Sequence, residues 1–331
     1  MKKIVILITF LTLLALPTTT KATTDPLATQ NNKIGIHIMS EHDLESAANL
    51  VNSNGGDWGY ITIVIREDEM DQTRWQNFMQ QTGEKHLIPI IRIATTIEAN
   101  HWKKPNIEMA EKWADFLNSL IWPTQNRYVI LFNEPNHAKE WGNEISPENY
   151  AFIARTYWEQ FKRTSSNFFI LPAALDLSAP NSRETVSPEA FYQKMYESDP
   201  LIFTIFDGLT SHSYPNPNFC GKPSDLGQTS IRGFEWELET LNKYDLIPNI
   251  PVFITETGWS CPLAPNTISI YYQEAFSQVW NHSNLVAVTP FILQYQSFPF
   301  INFSWVNENK ELSPQYKTVQ SLDKTKGNPK I

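Results

Sequence analysis

The sequence predicts an α/β fold, a single-domain (β/α)8 barrel of the TIM type, and three observations predict it. Eight short apolar segments alternate with eight helix-like ones. Most of the apolar segments are continuous runs, as expected for strands with helices on one face and a packed core on the other. Two of the runs end in a glutamate, in Asn133-Glu134-Pro135-Asn136 and in Thr255-Glu256-Thr257-Gly258-Trp259. Each carboxylate then falls on the C-terminal rim of a strand, where barrels carry their chemistry.

The strands are read, in order, at Lys33–Met39, Gly59–Arg66, Leu87–Ala94, Tyr128–Asn133, Phe168–Ala174, Gly208–Ser213, Val252–Thr255 and Leu285–Leu293. The helices begin near Glu41, Asp71, Asn106, Pro147, Pro188, Thr229, Thr267 and Pro314. Three have Ser-Pro starts: Ser146-Pro147, Ser187-Pro188 and Ser313-Pro314. Serine caps the free N–H groups of the first turn, and proline fits there because its missing donor costs nothing. Roughly 290 residues from first strand to last helix is ordinary for a (β/α)8 barrel. An open doubly wound sheet is disfavoured. It would need a Gly-rich phosphate turn after the first strand, and Ile34-Gly35-Ile36-His37 is not one.

The N-terminus reads differently. Lys2 and Lys3 precede the apolar run Ile4 to Leu16, Pro17 breaks it, and small and polar residues follow to Ala22. This is the order of a secretory signal, read over residues 1–22, with a short lead over 23–32 and the catalytic domain over 33–331. The run falls short of the ~20 apolar residues of a comfortable span. An uncleaved N-terminal membrane anchor is the alternative. Removing residues 1–22 removes three lysines and no acids, taking the formal charge from −9 to −12. An acidic exported protein repels phosphates, which argues against nucleic acid as a partner. The 11 tryptophans suit sugar rings, whose apolar faces stack on indole; about half are expected in the core. No stable protein partner is implied. Cys220 and Cys261 are the only cysteines. In an exported protein the default is a disulfide, here tying two loops on the rim that carries Glu256.

The predicted strand ends collect His37, Arg66, Arg92, Asn133 and Glu134, Asp176 slightly further out, His212 and Tyr214, Glu256, and Gln294 and Tyr295. Period-2 alternation puts Ile130, Phe132 and Glu134 on one face and Val252, Ile254 and Glu256 on another, so both carboxylates overhang the mouth. Two facing carboxylates are the minimal apparatus for cleaving a glycosidic bond, and they need no metal or cofactor. His137 and Glu140 do not form a His-Glu-x-x-His zinc helix.

With Asn133-Glu134-Pro135 at the fourth strand, Ser211-His212-Ser213-Tyr214-Pro215 at the sixth and Thr255-Glu256-Thr257-Gly258 at the seventh, the chain resembles glycoside hydrolase clan A, the (β/α)8 retaining glycosidases. The resemblance implies Glu134 as acid/base and Glu256 as nucleophile. Asn133 would bond the 2-hydroxyl, and Arg92 and Tyr214 would hold the nucleophile ionised. Arg66 is the competitor for the cationic role, because the clan usually places an arginine at the end of strand two. His37 joins the supporting set, and His212 would orient Tyr214 or bind sugar. The clan's tryptophan platform at the end of strand eight is missing, leaving Trp305 or Tyr295 to replace it. Trp259 and Trp141, just past the two glutamate segments, are subsite candidates. The expected activity is retaining hydrolysis of an oligo- or polysaccharide. Its rivals are a non-catalytic glycan-binding barrel and a transglycosylase remodelling cell-surface glycan.

Overall fold

A computed structural model describes residues 23–331. The secretory segment expected over residues 1–22 lies outside the described residues. Eight parallel strands run in sequence: β1 (Gly35–His37), β2 (Gly59–Arg66), β3 (Leu87–Ala94), β4 (Arg127–Leu131), β5 (Phe168–Leu171), β6 (Leu209–His212), β7 (Val252–Glu256) and β8 (Leu285–Val288). β1 to β5 pair in order as one arc and β6 to β8 as a second. Both seams are closed. Ile34 bridges Val288, with Val288 N donating to Lys33 O at 2.9 Å and His37 N to Pro290 O at 3.0 Å. Asp176 bridges His212, and Asp207 N donates to Ile170 O at 3.0 Å. The predicted (β/α)8 barrel is the observed fold.

Alternation along the strands separates two apolar layers. Tyr60, Ile88, Ile90, Tyr128, Ile130, Phe169, Leu171, Phe253, Val286 and Ala287 pack together inside the ring. Their strand neighbours Ile61, Ile63, Ile91, Val129, Ile170, Val252 and Ile254 join a much larger cluster with the helices. Each fully buried aliphatic or aromatic side chain contributes about 1.5–3 kcal/mol. Residues 23–32, read as a lead, close the N-terminal end of the barrel. Leu27 packs on the inner cluster, and the Asn126 side chain bonds both the N–H and the carbonyl of Thr24 at 2.8 Å.

The main helices are α1 (Leu44–Val51), α2 (Gln72–Glu84), α3 (Met109–Asn118), α4 (Pro147–Thr164), α5 (Pro188–Ser198), α6 (Gly233–Leu241), α7 (Pro265–Glu274) and α8 (Pro314–Ser321), with a single helical turn, Ile202–Ile205, following α5. All three Ser-Pro starts are helix starts. Ser146 and Ser313 accept a first-turn N–H, and Ser187 makes no side-chain cap. A π-turn, Ala275–Val279, prolongs α7. A small antiparallel pair, Ile97–Glu98 with His101–Trp102, lies in the loop after β3.

Five strands stop short of their predicted ends, β1 and β6 by one or two residues and β4, β5 and β8 by two to five. Pro172 and Pro290 stand just beyond β5 and β8 and lack the N–H that a ladder needs. β4 ends because Phe132 turns to φ 74° and Glu134 to φ 29°, a left-handed conformation that no strand continues.

Candidate active site

Both glutamates stand on the expected rim, but strand alternation is not what aims them. Ile130 faces the barrel interior, yet Phe132 packs outward on Trp141 and Tyr157 at ring distances of 5.6 and 5.2 Å. The left-handed turn, not the pleat, aims Glu134. The turn is pinned from below: Glu134 N donates to Ala174 O at 3.1 Å. Asn136 is completely buried; its NH2 donates to Asp176 O and Val186 O at 3.0 and 3.2 Å, and its carbonyl accepts from Asp176 N at 3.1 Å. The last residue of the Asn-Glu-Pro-Asn segment therefore clamps the loop after β4 to the loop after β5.

On β7, Val252 and Ile254 belong to the outer layer, so strict alternation would send Glu256 outward too. The β6–β7 register slips by one residue, from Ser211 opposite Ile254 to His212 opposite Glu256. That bulge at Thr255 turns Glu256 into the mouth. Thr257 Oγ1 donates to Ser213 O at 2.6 Å, fixing the turn that follows. Gly258 sits at φ 140°, and a Cβ there would come within 2.7 Å of the Tyr272 hydroxyl, so only glycine fits.

These two local devices bring the acids together. A carboxylate oxygen of Glu134, one of Glu256 and a ring nitrogen of His212 all lie within 4.8 Å of one another. The side chains of Glu134 and Glu256 keep 21% and 11% of their surface open, so solvent reaches both. Among the described residues this trio is also the one acid–histidine cluster close enough to share an ion. Arg92 already occupies part of it.

Arg92 Nη1 donates to Glu256 Oε1 at 2.5 Å and to Asn133 Oδ1 at 2.7 Å. Tyr214 Oη donates to Glu256 Oε2 at 3.0 Å. Burial alone would raise the Glu256 pKa, but the charges of His212 and Arg92 outweigh it and hold the carboxyl down at about 2. Burial and the neighbouring Glu256 push the Tyr214 phenol up, so it stays a donor. His212 is buried, which works against a charge. The carboxylate of Glu256 and the 2.7 Å bond to Glu134 Oε1 overcome that and raise its pKa.

Of the two arginines weighed, Arg92 reaches Glu256. Arg66 turns outward to Asp68, at 2.9 Å through Nε. His37 lies at 0% exposure, its Nε2 4.0 Å from Glu256 Oε1. Burial, followed by Arg92, depresses its pKa to about 3, so it is a neutral ring beneath the carboxylate.

Three tryptophans named as sugar contacts lie in the core. Trp259 is 1% exposed; its Nε1 donates to Gly221 O, and its ring packs on Tyr272 and Trp280. Trp305, also 1% exposed, stacks edge-on to Tyr272. Trp141 is buried behind Phe132. None of them has a face free for a sugar, because each fills the space where a loop folds onto the helix layer. Tyr295 is half-buried and touches Phe300 at 5.6 Å.

An aromatic ring not expected from the sequence stands at the mouth. Phe291, half-buried just past β8, sits edge-on to His37 at 5.2 Å and to Phe303 at 5.7 Å. Phe300 and then Tyr295 continue from it outward. In the sequence Phe291 falls inside the predicted eighth strand, Leu285–Leu293; Pro290, which lacks a ladder N–H, is the signal that ends that strand earlier. Cys220 and Cys261 are disulfide-bonded, tying the loops after β6 and β7. Glu140, given no role in the sequence beyond its failure to form a zinc motif, stands beside Asn133, whose Nδ2 donates to its Oε2 at 3.1 Å.

A family model described as the glycosyl hydrolase catalytic core matches residues 99–318, about two thirds of the chain, and both glutamates lie inside it. The chain belongs to that family. Solved structures similar to it include a family 39 glycoside hydrolase from Bacteroides cellulosilyticus WH2, at 14% identity and a TM-score of 0.60, over 90% of this chain and 64% of that one. A beta-mannanase from Thermomonospora fusca aligns at 13% identity and a TM-score of 0.57, over 88% of this chain and 89% of that one. XacCel5A, solved with cellopentaose, aligns at 12% identity and a TM-score of 0.55, over 88% and 98%. At such identities the likeness speaks for the barrel alone. The chain spans under two thirds of the length of the family 39 enzyme. No curated protein sequence matches it.

Proposed function

We propose that this chain is an exported, retaining glycosidase that hydrolyses an oligo- or polysaccharide, with Glu256 as nucleophile and Glu134 as acid/base. One observation carries the reading: oxygens of the two carboxylates stand within 4.8 Å of each other across the mouth. Retaining enzymes hold their carboxyl groups about 5–5.5 Å apart, and inverting ones about 6.5–9.5 Å, to admit a water.

The chemistry follows from the environments. Glu256 is ionised, so its oxygen attacks the anomeric carbon while the glycosidic C–O bond breaks. The departing oxygen takes its proton from Glu134, whose Oε1 is held against His212 Nδ1 at 2.7 Å. The glycosyl ester on Glu256 is then opened by water, and Glu134 recovers the proton of that water. Arg92 and Tyr214 stabilise the carboxylate as it is released. Phe291 offers an apolar ring beneath the reacting sugar, the part expected of Trp305 or Tyr295. Structurally similar proteins named as glucanases and a mannanase support a polysaccharide substrate. The signal-like segment and the disulfide support export, since disulfides persist in oxidising compartments.

The test is a polysaccharide and aryl-glycoside screen, followed by NMR of the first-formed product. The product should retain the substrate's anomeric configuration, and a 2-deoxy-2-fluoro glycoside should lose its aglycone and leave the mass of its fluoroglycosyl group on the peptide containing Glu256. Glu256→Ala should abolish turnover. Inverted product, or label on another residue, would overturn the nucleophile assignment.

A further inference from the structure

A third carboxyl stands in the mouth. Glu140 closes a short turn, Ala138–Glu140, anchored in the core by Trp141, whose Nε1 donates to Asn149 Oδ1 at 3.1 Å. Gly142 N, bonded to Trp102 O at 2.9 Å, ties the turn to the small strand pair after β3. From there Glu140 Oε2 accepts the Asn133 Nδ2–H at 3.1 Å. The opposite end of the same amide, Oδ1, accepts from Arg92 Nη1 at 2.7 Å. Arg92 in turn holds Glu256. The result is a single line of contacts, Glu140 to Asn133 to Arg92 to Glu256.

An amide has a donor edge and an acceptor edge. With a guanidinium on one side and a carboxyl on the other, only one of its two flips is satisfied. Without Glu140 the acceptor edge would still face Arg92, but nothing would hold the NH2 plane. With it, one N–H is spent on Glu140 and the other is left for a ligand. The placement is costly for an acid: burial and the nearby Glu134 push the Glu140 carboxyl up to about 7. Two further acids, Glu134 and Glu256, lie close by, and the charge of Arg92 does not outweigh burial and their repulsion.

We propose that Glu140 is a positioning residue for the hydrolysis, fixing the Asn133 amide so that its second N–H meets a hydroxyl of the reacting sugar. This rests on the hydrolase reading above. The residue acts through Asn133 and does not itself touch the breaking bond.

The test takes the aryl glycoside that the wild-type protein cleaves fastest, together with its 2-deoxy counterpart, which lacks the hydroxyl that Asn133 is expected to meet. On the parent substrate, Glu140→Ala should lower kcat/KM by about 10- to 100-fold, the worth of one oriented hydrogen bond. On the 2-deoxy substrate it should change kcat/KM by less than about threefold. Glu140→Gln keeps a carbonyl for the same N–H and should retain activity within about threefold on both. Asn133→Ala and the double variant Asn133→Ala/Glu140→Ala should be equally impaired. Equal losses on both substrates, or additive losses in the double variant, would show that Glu140 serves the fold and overturn the assignment. So would Glu140→Gln behaving like Glu140→Ala. A wild-type protein that cleaves no glycoside would instead sink the hydrolase reading, and this assignment with it.

Discussion

At the scale of single residues, the site is an exercise in holding unlike charges at close range. Glu256 is buried, and burial opposes its charge. Arg92 and His212 reverse the balance and set it at about 2. Its share of stability is therefore fully present above the ordinary carboxylate range and is lost as pH falls towards about 2. Arg92→Met removes the closest cation. The Glu256 pKa should rise, the acid limb of the kcat/KM profile should move to higher pH, and kcat/KM should fall about 10²- to 10³-fold, as when one preorganised donor is lost. A pH–rate profile of the variant checks this, and an unmoved acid limb would show that Arg92 does not govern Glu256. Arg66→Met should leave the profile where it is, because Arg66 spends its charge on Asp68 at the rim. Sequence could place both arginines at strand ends but could not choose between them. The choice turns on side-chain direction, fixed by which strand position faces the ring.

At the scale of elements, the loops after β4 and β7 do what the strands do not. A left-handed turn aims one acid and a bulge aims the other, and each is tied to its neighbour by a buried polar contact, through Asn136 and Thr257. The Cys220–Cys261 disulfide closes a 41-residue separation; by loop-closure entropy this is worth about 4 kcal/mol. Behind the wall, α6 buries Glu237 completely, with Tyr192 Oη donating to its Oε1 at 2.5 Å. Burial raises its pKa to about 7. A raised carboxyl contributes stability that is complete below its unfolded pKa and is lost as pH rises through about 7. Glu237→Gln should therefore leave Tm nearly unchanged at about pH 5 and raise it relative to wild type at about pH 8. Thermal melts at the two pH values test this, and equal shifts at both would refute the titration. Helical spacing sets Glu237 on the same face as Phe234, Thr240 and Leu241, all of them buried; that Tyr192 meets its carboxyl there is visible only once the helix is docked.

At the scale of the whole molecule, the ring of strands supplies a rigid rim and the N-terminal lead closes the opposite end. Among the described residues no helix is long and apolar enough to cross a membrane. If residues 1–22 direct the export proposed above, mass spectrometry of protein recovered from the medium of an expressing culture should give a mature N-terminus near Thr23. A full-length chain retained on membranes would favour the anchored alternative. The sequence by itself determined the eightfold alternation, the Ser-Pro helix starts, the disulfide pair and the two acid-bearing strand ends. Those depend on composition and on contacts a few residues long, and such signals survive in a single chain. Only the tertiary structure decided which arginine reaches Glu256, that Phe291 rather than Trp305 lines the mouth, that Trp141 and Trp259 are core, and that Glu140 joins the site. Each of these depends on how a loop crosses the rim, and a loop's path is set by residues far away in sequence that share no periodicity with it.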